Sequence, residues 1–562
     1  MSKTVSTSRT RRWVAALLGQ RSRLTALCLA AALAAGASTG CAVDEQDLRR
    51  WESTLGGPDR LTAVVLHDKY PHQLRVEAGM SLIRMKPRKG QHVGLNRLVE
   101  QTLAELAPEP RAKILADLIP LIIEELKKPP PKATQGAQTT SDPSFKYKDA
   151  SYLMLTYEKT QLISDQSLKK ELMAALTEWA MTDFDRRLQE RGQAYGMEQL
   201  LRRIGPSAVT KLPSLMHKSS RNLAKMSDII SKIGSKETKN EAGVRLVEII
   251  KYVASEQWRK DKMPELKEAN RTAGFDPTEK QLTKQLADFQ TESVARVFAS
   301  MKKVGGKAMV DHCLAVAADK KQPKKHRQTA LAALEGHLDR RNTEQIDQLF
   351  AITKADPPAI VTDQAFRRIR EMPRAVVKDK LYGFFESKDW KLRRLAGATI
   401  LQMSTVKHAD EFLDALGDKA KTNYNLAEAI TFGAYLAGLK EGDPLKAIAG
   451  RMKRGKTPAR LAAISYYFEK GDKTMIDQIK PFEGDQQAIA ECEEDGKCDW
   501  TCVIGEGKTK ETKDIKTVGD FVTYCIKPKM ERTEPPKKKP ALGDKKKKGD
   551  GKDAAPGKTK DE

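Results

Sequence analysis

The residues of this chain best suited to covalent chemistry are its seven cysteines, which fall into separate groups. Four of them crowd the C-terminal part of the chain: Cys492, Cys498, Cys502 and Cys525. Cys313 lies inside an apolar stretch, whereas Cys28 and Cys41 belong to the N-terminal segment. Thiols form disulfides, bind metals or act as nucleophiles, so the surroundings of each group decide which chemistry is available.

Cys41 follows a segment with the layout of a secretion signal. Residues 1–40 hold Lys3, five arginines and no acidic residue, and an apolar run at residues 24–35 leads into the small residues before Cys41. A basic start, a short apolar run and small residues in this order are typical of a signal peptide. The run is shorter than the roughly 20 apolar residues that a membrane-spanning helix needs. The pattern therefore predicts export.

The end of this segment, Ser38-Thr39-Gly40-Cys41, resembles the lipobox of bacterial lipoprotein signals. Thr39 and Gly40 fit that pattern, whereas Ser38 stands where the family prefers leucine. The resemblance implies that Cys41 is diacylated and becomes the first residue of the mature chain. The protein would then be a membrane-anchored lipoprotein of the cell envelope, periplasmic or surface-exposed. The alternative is plain secretion after cleavage by an ordinary signal peptidase.

The four late cysteines are predicted to form two disulfides. An even cluster of cysteines in an exported chain favours disulfides, and three pairings are possible. The alternative is a zinc site, but the intervals of six, four and twenty-three residues lack two matched Cys-x-x-Cys units. We therefore expect no metal, and we expect a disulfide-stapled cap at the end of the fold.

Catalytic patterns are missing from the sequence. The eight histidines are scattered, and there is no His-Glu-x-x-His, no Gly-x-Ser-x-Gly and no phosphate-binding glycine loop. Asp311, His312 and Cys313 are adjacent, and adjacent residues point in different directions on a helix. Cys313 is therefore predicted to be a small core residue. We expect no enzymatic activity and no cofactor.

Composition indicates a large, basic, all-α protein. A chain of 562 residues exceeds what one hydrophobic core supports. Aromatic residues make up 6% and charged residues 31%, and the abundance of Ala, Leu, Lys and Glu favours helix over sheet. The net charge of +25 favours anionic partners through a salt-sensitive field. Nucleic acid, anionic lipid, acidic polysaccharide and acidic protein are all compatible with it.

Internal repetition is the strongest structural signal. Five Ala-rich apolar cores lie at the centres of helical patterns, and their marker residues are spaced by 35, 31, 33 and 33 residues. The markers are Ala330, Ala365, Ala396, Ala429 and Ala462. Each interval has room for a second helix. Small residues on the first helix of each pair allow neighbouring pairs to approach closely.

The repeats resemble HEAT repeats and related α-solenoids, in which an Ala-rich inner helix often carries a basic residue near a turn. Lys391, Arg393 and Arg394 before the Ala396 core resemble that feature. The resemblance is clearest for residues 326–480. It implies an α-solenoid, a stack of helix pairs in which each repeat contacts its neighbours.

The remaining boundaries follow from composition. Pro129-Pro130-Pro131 begins a stretch typical of a linker, and the Lys-rich end of the chain has almost nothing apolar to bury. The predicted parts are a signal peptide (1–40), N-terminal helical pairs (41–126), a linker (127–148), irregular helical repeats (149–325), HEAT-like repeats (326–485), a small cysteine-rich cap (486–529) and a disordered lysine-rich tail (530–562).

These features together predict a binding or scaffolding protein in the cell envelope. Its protein partner is unknown, and it would reach the membrane through the N-terminal lipid. Two alternatives stay open: a protein that binds an anionic surface or polymer, and a solenoid-based enzyme or maturation factor.

Four basic residues beside the Ala-rich cores are predicted to bind an anionic partner: Arg367, Arg368, Arg393 and Arg394. We expect charge reversal at these positions to weaken binding without changing the melting temperature. The alternative is that they form ion pairs between repeats.

If Cys41 is acylated, the protein should take up a labelled fatty acid and partition into detergent, because two or more chains anchor stably where one is marginal. A Cys41→Ser variant should remain unlabelled and soluble. Both are checked by metabolic labelling and detergent phase separation. Wild-type protein that behaves like the variant would contradict lipidation.

Overall fold

The computed structural model describes residues 43–88, 91–130, 142–189, 196–217, 222–355, 359–419, 424–489, 500–504 and 510–535. Cys41, Cys492 and Cys498 lie outside these residues, as do the signal segment and the chain beyond residue 535. The chain divides into two compact units, Met1–Lys211 and Leu212–Glu562. The predicted predominance of helix is confirmed, since two short strands are the exception among the described elements.

The helices of the first unit are α1 (Glu45–Trp51), α2 (Gly57–Leu66), α3 (His72–Arg84), α4 (Val93–Asn96), α5 (Leu103–Glu105), α6 (Pro108–Lys127), α7 (Phe145–Thr156), α8 (Gln166–Met181), α9 (Phe184–Gln189), α10 (Met197–Ile204) and α11 (Pro206–Val209). A π-helical turn, Arg97–Thr102, joins α4 to α5. Helix α6 packs against both α3 and α8. Its buried residues Ile114, Leu118 and Ile122 recur every four positions, the spacing that places side chains on one helical face.

A buried polar cluster fixes the start of α7, which lies within the predicted linker. Trp179 Nε1 donates a hydrogen bond to Ser144 Oγ at 2.7 Å, and Ser144 Oγ donates to Asp142 Oδ1 at 2.6 Å. The Arg187 guanidinium lies 4.2 Å from the centroid of the Trp179 ring and 3.2 Å from the Asp142 carboxylate. These contacts fix residues 142–148, and residues 131–141 of the predicted linker lie outside the described residues.

The helices of the second unit are α12 (Leu212–Leu215), α13 (Leu223–Ile233), α14 (Lys236–Val253), α15 (Glu256–Thr272), α16 (Glu279–Val304), α17 (Lys307–Ala318), α18 (Lys324–Ala333), α19 (Thr343–Ala355), α20 (Ile360–Ile369), α21 (Arg374–Gly383), α22 (Trp390–Gln402), α23 (Ala409–Lys419), α24 (Leu426–Ala437), α25 (Leu445–Arg454), α26 (Thr457–Lys470), α27 (Ile476–Ile479), α28 (Val518–Asp520) and α29 (Lys527–Arg532). Short 3-10 turns extend several of them, among them Phe384–Glu386 after α21. None of the described helices is long and apolar enough to cross a membrane.

Alternate helices of the second unit pack in sequence order. Helix α18 contacts α20, which contacts α22, which contacts α24, which contacts α26. Each of these five helices is the first helix of a predicted pair, and we call them the first helices. They carry the five marker alanines, all of which are buried. The same order continues upstream through α14 and α16, a region whose repeats looked irregular in sequence. The intervening second helices α21, α23 and α25 also contact one another in order.

Two glycines allow the first helices to approach closely. A Cβ placed on Gly433 of α24 would lie 2.5 Å from the backbone carbonyl carbon of Ser465 on α26. A Cβ on Gly397 of α22 would overlap the ring of Phe432 on α24. Both distances are far below van der Waals contact, so the packing of α22, α24 and α26 depends on the missing side chains.

The end of the second unit is a small mixed structure. Strands β1 (Thr501–Ile504) and β2 (Glu511–Asp514) pair antiparallel, with Cys502 opposite Lys513. A π-helical segment, Phe521–Ile526, follows α28 and contacts both β1 and α26. Phe521, Val522 and Ile526 of this segment are buried, and the segment packs against α26, the last of the marker-carrying helices.

The packing at Gly433 predicts opposite effects for two identical substitutions. Gly433→Ala should destabilise the protein by about 1–3 kcal/mol because the added methyl group collides with the α26 backbone. Gly450→Ala is the matched control, since Gly450 also lies in a helix but faces open space. It should stabilise by about 0.5–1 kcal/mol, the helix-propensity difference. Circular dichroism melts check both, and equal stabilisation by the two substitutions would refute the close approach.

Candidate partner-binding surface

The four arginines predicted to bind a partner occupy different environments. Arg367 and Arg368 lie on α20, and Arg393 and Arg394 lie on α22. Arg367 is exposed and Arg394 is half-buried. Arg368 and Arg393 keep only 5% and 4% of their surface exposed. The four side chains therefore do not form one continuous basic surface.

Arg393 is bound inside the helix stack. Its Nε and Nη2 atoms donate to the two carboxylate oxygens of Glu428 at 2.8 Å and 2.7 Å. Its Nη1 donates to the backbone carbonyl oxygens of Ser387 and Lys388. The guanidinium also lies 4.6 Å from the centroid of the Tyr424 ring. All three guanidinium nitrogens are thus engaged, and the pair joins α22 to α24.

Glu428 is fully buried, so its charge depends on this partner. Burial raises the pKa of the Glu428 carboxyl, and the Arg393 guanidinium acts in the opposite direction. Glu428 also accepts a hydrogen bond from the backbone N–H of Asn425, the N-cap residue of α24. A charge held in this way is not available to a partner. We therefore remove Arg393 from the predicted surface, and its reversal would not leave stability unchanged.

Arg368 belongs to a polar row along the C-terminal ends of the first helices. Its Nη1 atom lies 2.8 Å from Glu371 Oε1 and 4.0 Å from Glu335 Oε2. Glu335 in turn pairs with Lys302 at the end of α16, at 2.5 Å. Further along, Gln402 of α22 donates to the Tyr435 hydroxyl of α24 at 2.5 Å. Arg368 therefore forms its close ion pair within its own helix pair, with Glu371, and a longer one with Glu335 of the preceding pair.

The accessible basic residues of this region gather at the start of α22. The Arg394 guanidinium and the Lys391 ammonium lie 5.1 Å and 5.7 Å from the centroid of the Trp390 ring. Lys391 is exposed, and Trp390 and Arg394 are half-buried. We call these three residues the α22 cluster. An aromatic ring carrying two cations can bind a carboxylate and also offer apolar contact.

A groove opens beside the α22 cluster. It has a volume of about 720 Å³ and lies between α19, the end of α21 and Leu392 of α22. Phe350 and Phe384 stack at its base with ring centroids 6.1 Å apart, and Lys354 lies 5.7 Å from the Phe384 ring. Lys380 pairs with Asp347 at 2.6 Å across it. The groove thus combines an aromatic base with a charged rim.

The described cysteines have two roles. Cys502 of β1 and Cys525 of the π-helical segment are paired at disulfide distance, with Cα atoms 5.5 Å apart. Cys313 is a free, buried thiol in contact with Met309, and burial raises the pKa of this thiol to about 12. A thiol held protonated is a poor nucleophile or metal ligand. This agrees with the prediction that Cys313 is a core residue.

Within the described ranges, no three His, Cys, Asp or Glu side chains come together in a way that could hold an ion. Comparison with known proteins gave no match: no family model and no curated protein is similar to this chain.

The sequence identified Arg393 but not its partners Glu428 and Tyr424. Glu428 lies 35 residues after Arg393, which is one repeat length. The sequence signal for this ion pair is an acidic residue that lies one repeat length after a basic residue.

The Arg393–Glu428 pair predicts a large asymmetry between two arginines. Arg393→Met should destabilise by about 3–5 kcal/mol because it leaves a buried carboxylate without its partner. Arg367→Met, at an exposed position, should change stability by no more than about 0.5 kcal/mol. Adding Glu428→Leu to Arg393→Met should restore part of the loss. Urea unfolding measures all four proteins, and equal stability of the two single variants would contradict the assignment.

Thiol titration tests the cysteine assignment. If Cys502 pairs with Cys525, two disulfides require that Cys492 pairs with Cys498. Denatured, unreduced mature protein should then release at most one thiol, from Cys313, because acylated Cys41 is blocked. Reduction should expose four more. Four or five free thiols before reduction, or stoichiometric zinc, would overturn this assignment.

Proposed function

We propose that this protein is an exported α-solenoid, anchored in the cell envelope by a lipid on Cys41, that binds or scaffolds another protein. The main support is the sequential packing of α18, α20, α22, α24 and α26, whose marker alanines are all buried. Helix pairs that contact their neighbours in order are the defining feature of HEAT-like solenoids. The resemblance of residues 38–41 to a lipobox supports the lipid anchor on Cys41.

An α-solenoid is well suited to binding another protein. In a solenoid the core is made between neighbouring repeats, so residues on the outer faces can vary without loss of the core. The groove between α19, α21 and α22 offers aromatic and apolar surface, and the adjacent α22 cluster offers the exposed ammonium of Lys391 and the half-buried guanidinium of Arg394. We propose that they receive a protein segment carrying acidic and apolar side chains.

The alternative with specific support is binding of an anionic polymer or surface. The net charge of +25 favours it, although several basic residues of the repeat region are neutralised by ion pairs. The affinity for an anionic polymer would fall steeply with added salt, because many charges over a broad surface would contribute. The affinity of the groove for a protein segment would keep an apolar contribution that salt does not weaken. An enzyme or maturation factor built on the solenoid is a further alternative, for which activity would have to depend on residues that converge in one cleft.

Charge reversal in the α22 cluster tests the proposal. Lys391→Glu with Arg394→Glu should reduce recovery of the partner at least tenfold at low ionic strength, because both charges would then repel an acidic segment. The control is Lys260→Glu with Lys284→Glu, which makes the same charge change on exposed lysines of α15 and α16.

The measurement is affinity capture of cross-linked complexes from a membrane extract, quantified by mass spectrometry, with melting temperatures recorded for each variant. The two double variants should melt within a few degrees of wild type. Equal partner recovery with both double variants would count against the α22 region. Equal loss with both would favour the polyanion alternative.

A further inference from the structure

A small cavity lies in the upstream part of the second unit, away from the surface discussed above. It is partly open to solvent, is lined mainly by residues of α14, α16, α17 and α18, and has a volume of about 280 Å³. Its walls include the apolar residues Ile250, Val294, Phe298 and Val316. Val294 and Phe298 are almost fully buried. Small-molecule sites have volumes of roughly 300–1,000 Å³, so the cavity fits a compact ligand.

Four polar residues converge on this apolar space: Lys251, His312, Gln322 and His326. They come from α14, from α17, from the turn after α17 and from α18, so they meet only in the folded protein. No aspartate or glutamate is among the residues that line the cavity. The polar side therefore offers one ammonium group, two imidazoles and the Gln322 amide, whose Nε2 also donates to Asp319 Oδ2 at 3.2 Å.

His326 has an unsatisfied nitrogen. Its Nε2 atom is buried and has no hydrogen-bond partner among the described residues. Buried polar atoms are almost always hydrogen-bonded, because an unpaired one loses its interaction with water without compensation. A ligand oxygen in the cavity would supply the missing partner.

The charge state of the site favours an anion. Burial lowers the pKa of His326, and burial together with the Lys251 ammonium lowers the pKa of His312. Both imidazoles are therefore neutral at pH 7, and each can donate one N–H. Lys251 is exposed at the edge of the cavity, and its ammonium is the single charged group among the lining residues.

We propose that this cavity binds a small monocarboxylic acid with an apolar body. The carboxylate lies against Lys251 and the imidazole of His326, and the apolar body lies against Phe298 and Val294. A second carboxylate would meet the apolar walls without a partner, and an amine would meet Lys251. This site is separate from the proposed protein-binding surface and does not depend on it.

The probes are isobutyrate, benzoate and phenylacetate, each compared with its neutral amide by isothermal titration calorimetry on the full mature chain. At least one acid should bind and raise the melting temperature, and its amide should bind at least tenfold more weakly. Lys251→Met should weaken the acid about tenfold, which corresponds to about 1.4 kcal/mol. Lys260→Met, which changes an exposed lysine outside the cavity, should have no effect.

His326→Phe separates a binding role from a structural one. It should abolish the preference for the acid while keeping or raising the melting temperature of the free protein, because it removes an unpaired polar atom. A lower melting temperature with unchanged binding would assign His326 to the fold and overturn its role. The whole proposal fails if no acid binds at millimolar concentration. It also fails if wild type binds the acid and its amide equally well, or if Lys251→Met binds the acid as tightly as wild type does.

Discussion

The close approach of successive first helices is the constraint on which the second unit depends. At Gly433 a side chain would collide with the backbone of α26, and at Gly397 it would collide with Phe432. Because these helices touch through small residues, Phe385, Phe412, Tyr424 and Phe432 fill the space between the layers, in contacts of 5.5–6.4 Å between ring centroids. Small residues at the contact and large ones around it give the interdigitated packing of a protein interior.

The same close packing determines what happens to charge. The space between α22 and α24 excludes water, so a cation there needs a partner, and Arg393 obtains one from Glu428. At the ends of the helices the ion pairs are partly exposed and individually weak, as for Lys302 with Glu335. Several basic side chains of the repeats therefore form ion pairs with acidic residues of the same unit. The charge left for a partner is concentrated at exposed positions such as Arg367 and Lys391.

The sequence predicted the repeat period because buried alanines must recur with each helix pair, and the five markers are all buried. Clustered cysteines are a local signal, and of the four late ones the structure places Cys502 and Cys525 at disulfide distance. The sequence could not separate Arg393 from Arg394, because adjacent residues differ in environment only through the rotation of the helix against its neighbours. The cavity at His326 was equally hidden. Its lining residues span positions 250 to 326 on four helices, and no local pattern unites them.

We propose that the repeats form one stack in which the stability of each helix pair depends on its neighbours. Hydrogen exchange measured by mass spectrometry on wild type and on Gly433→Ala tests it most directly. If the stack is correct, protection falls most in α24 and α26, less in α22, and progressively less toward α18, because coupling passes from one repeat to the next. A loss of protection confined to α24, or one spread evenly over the whole unit, would contradict the stack.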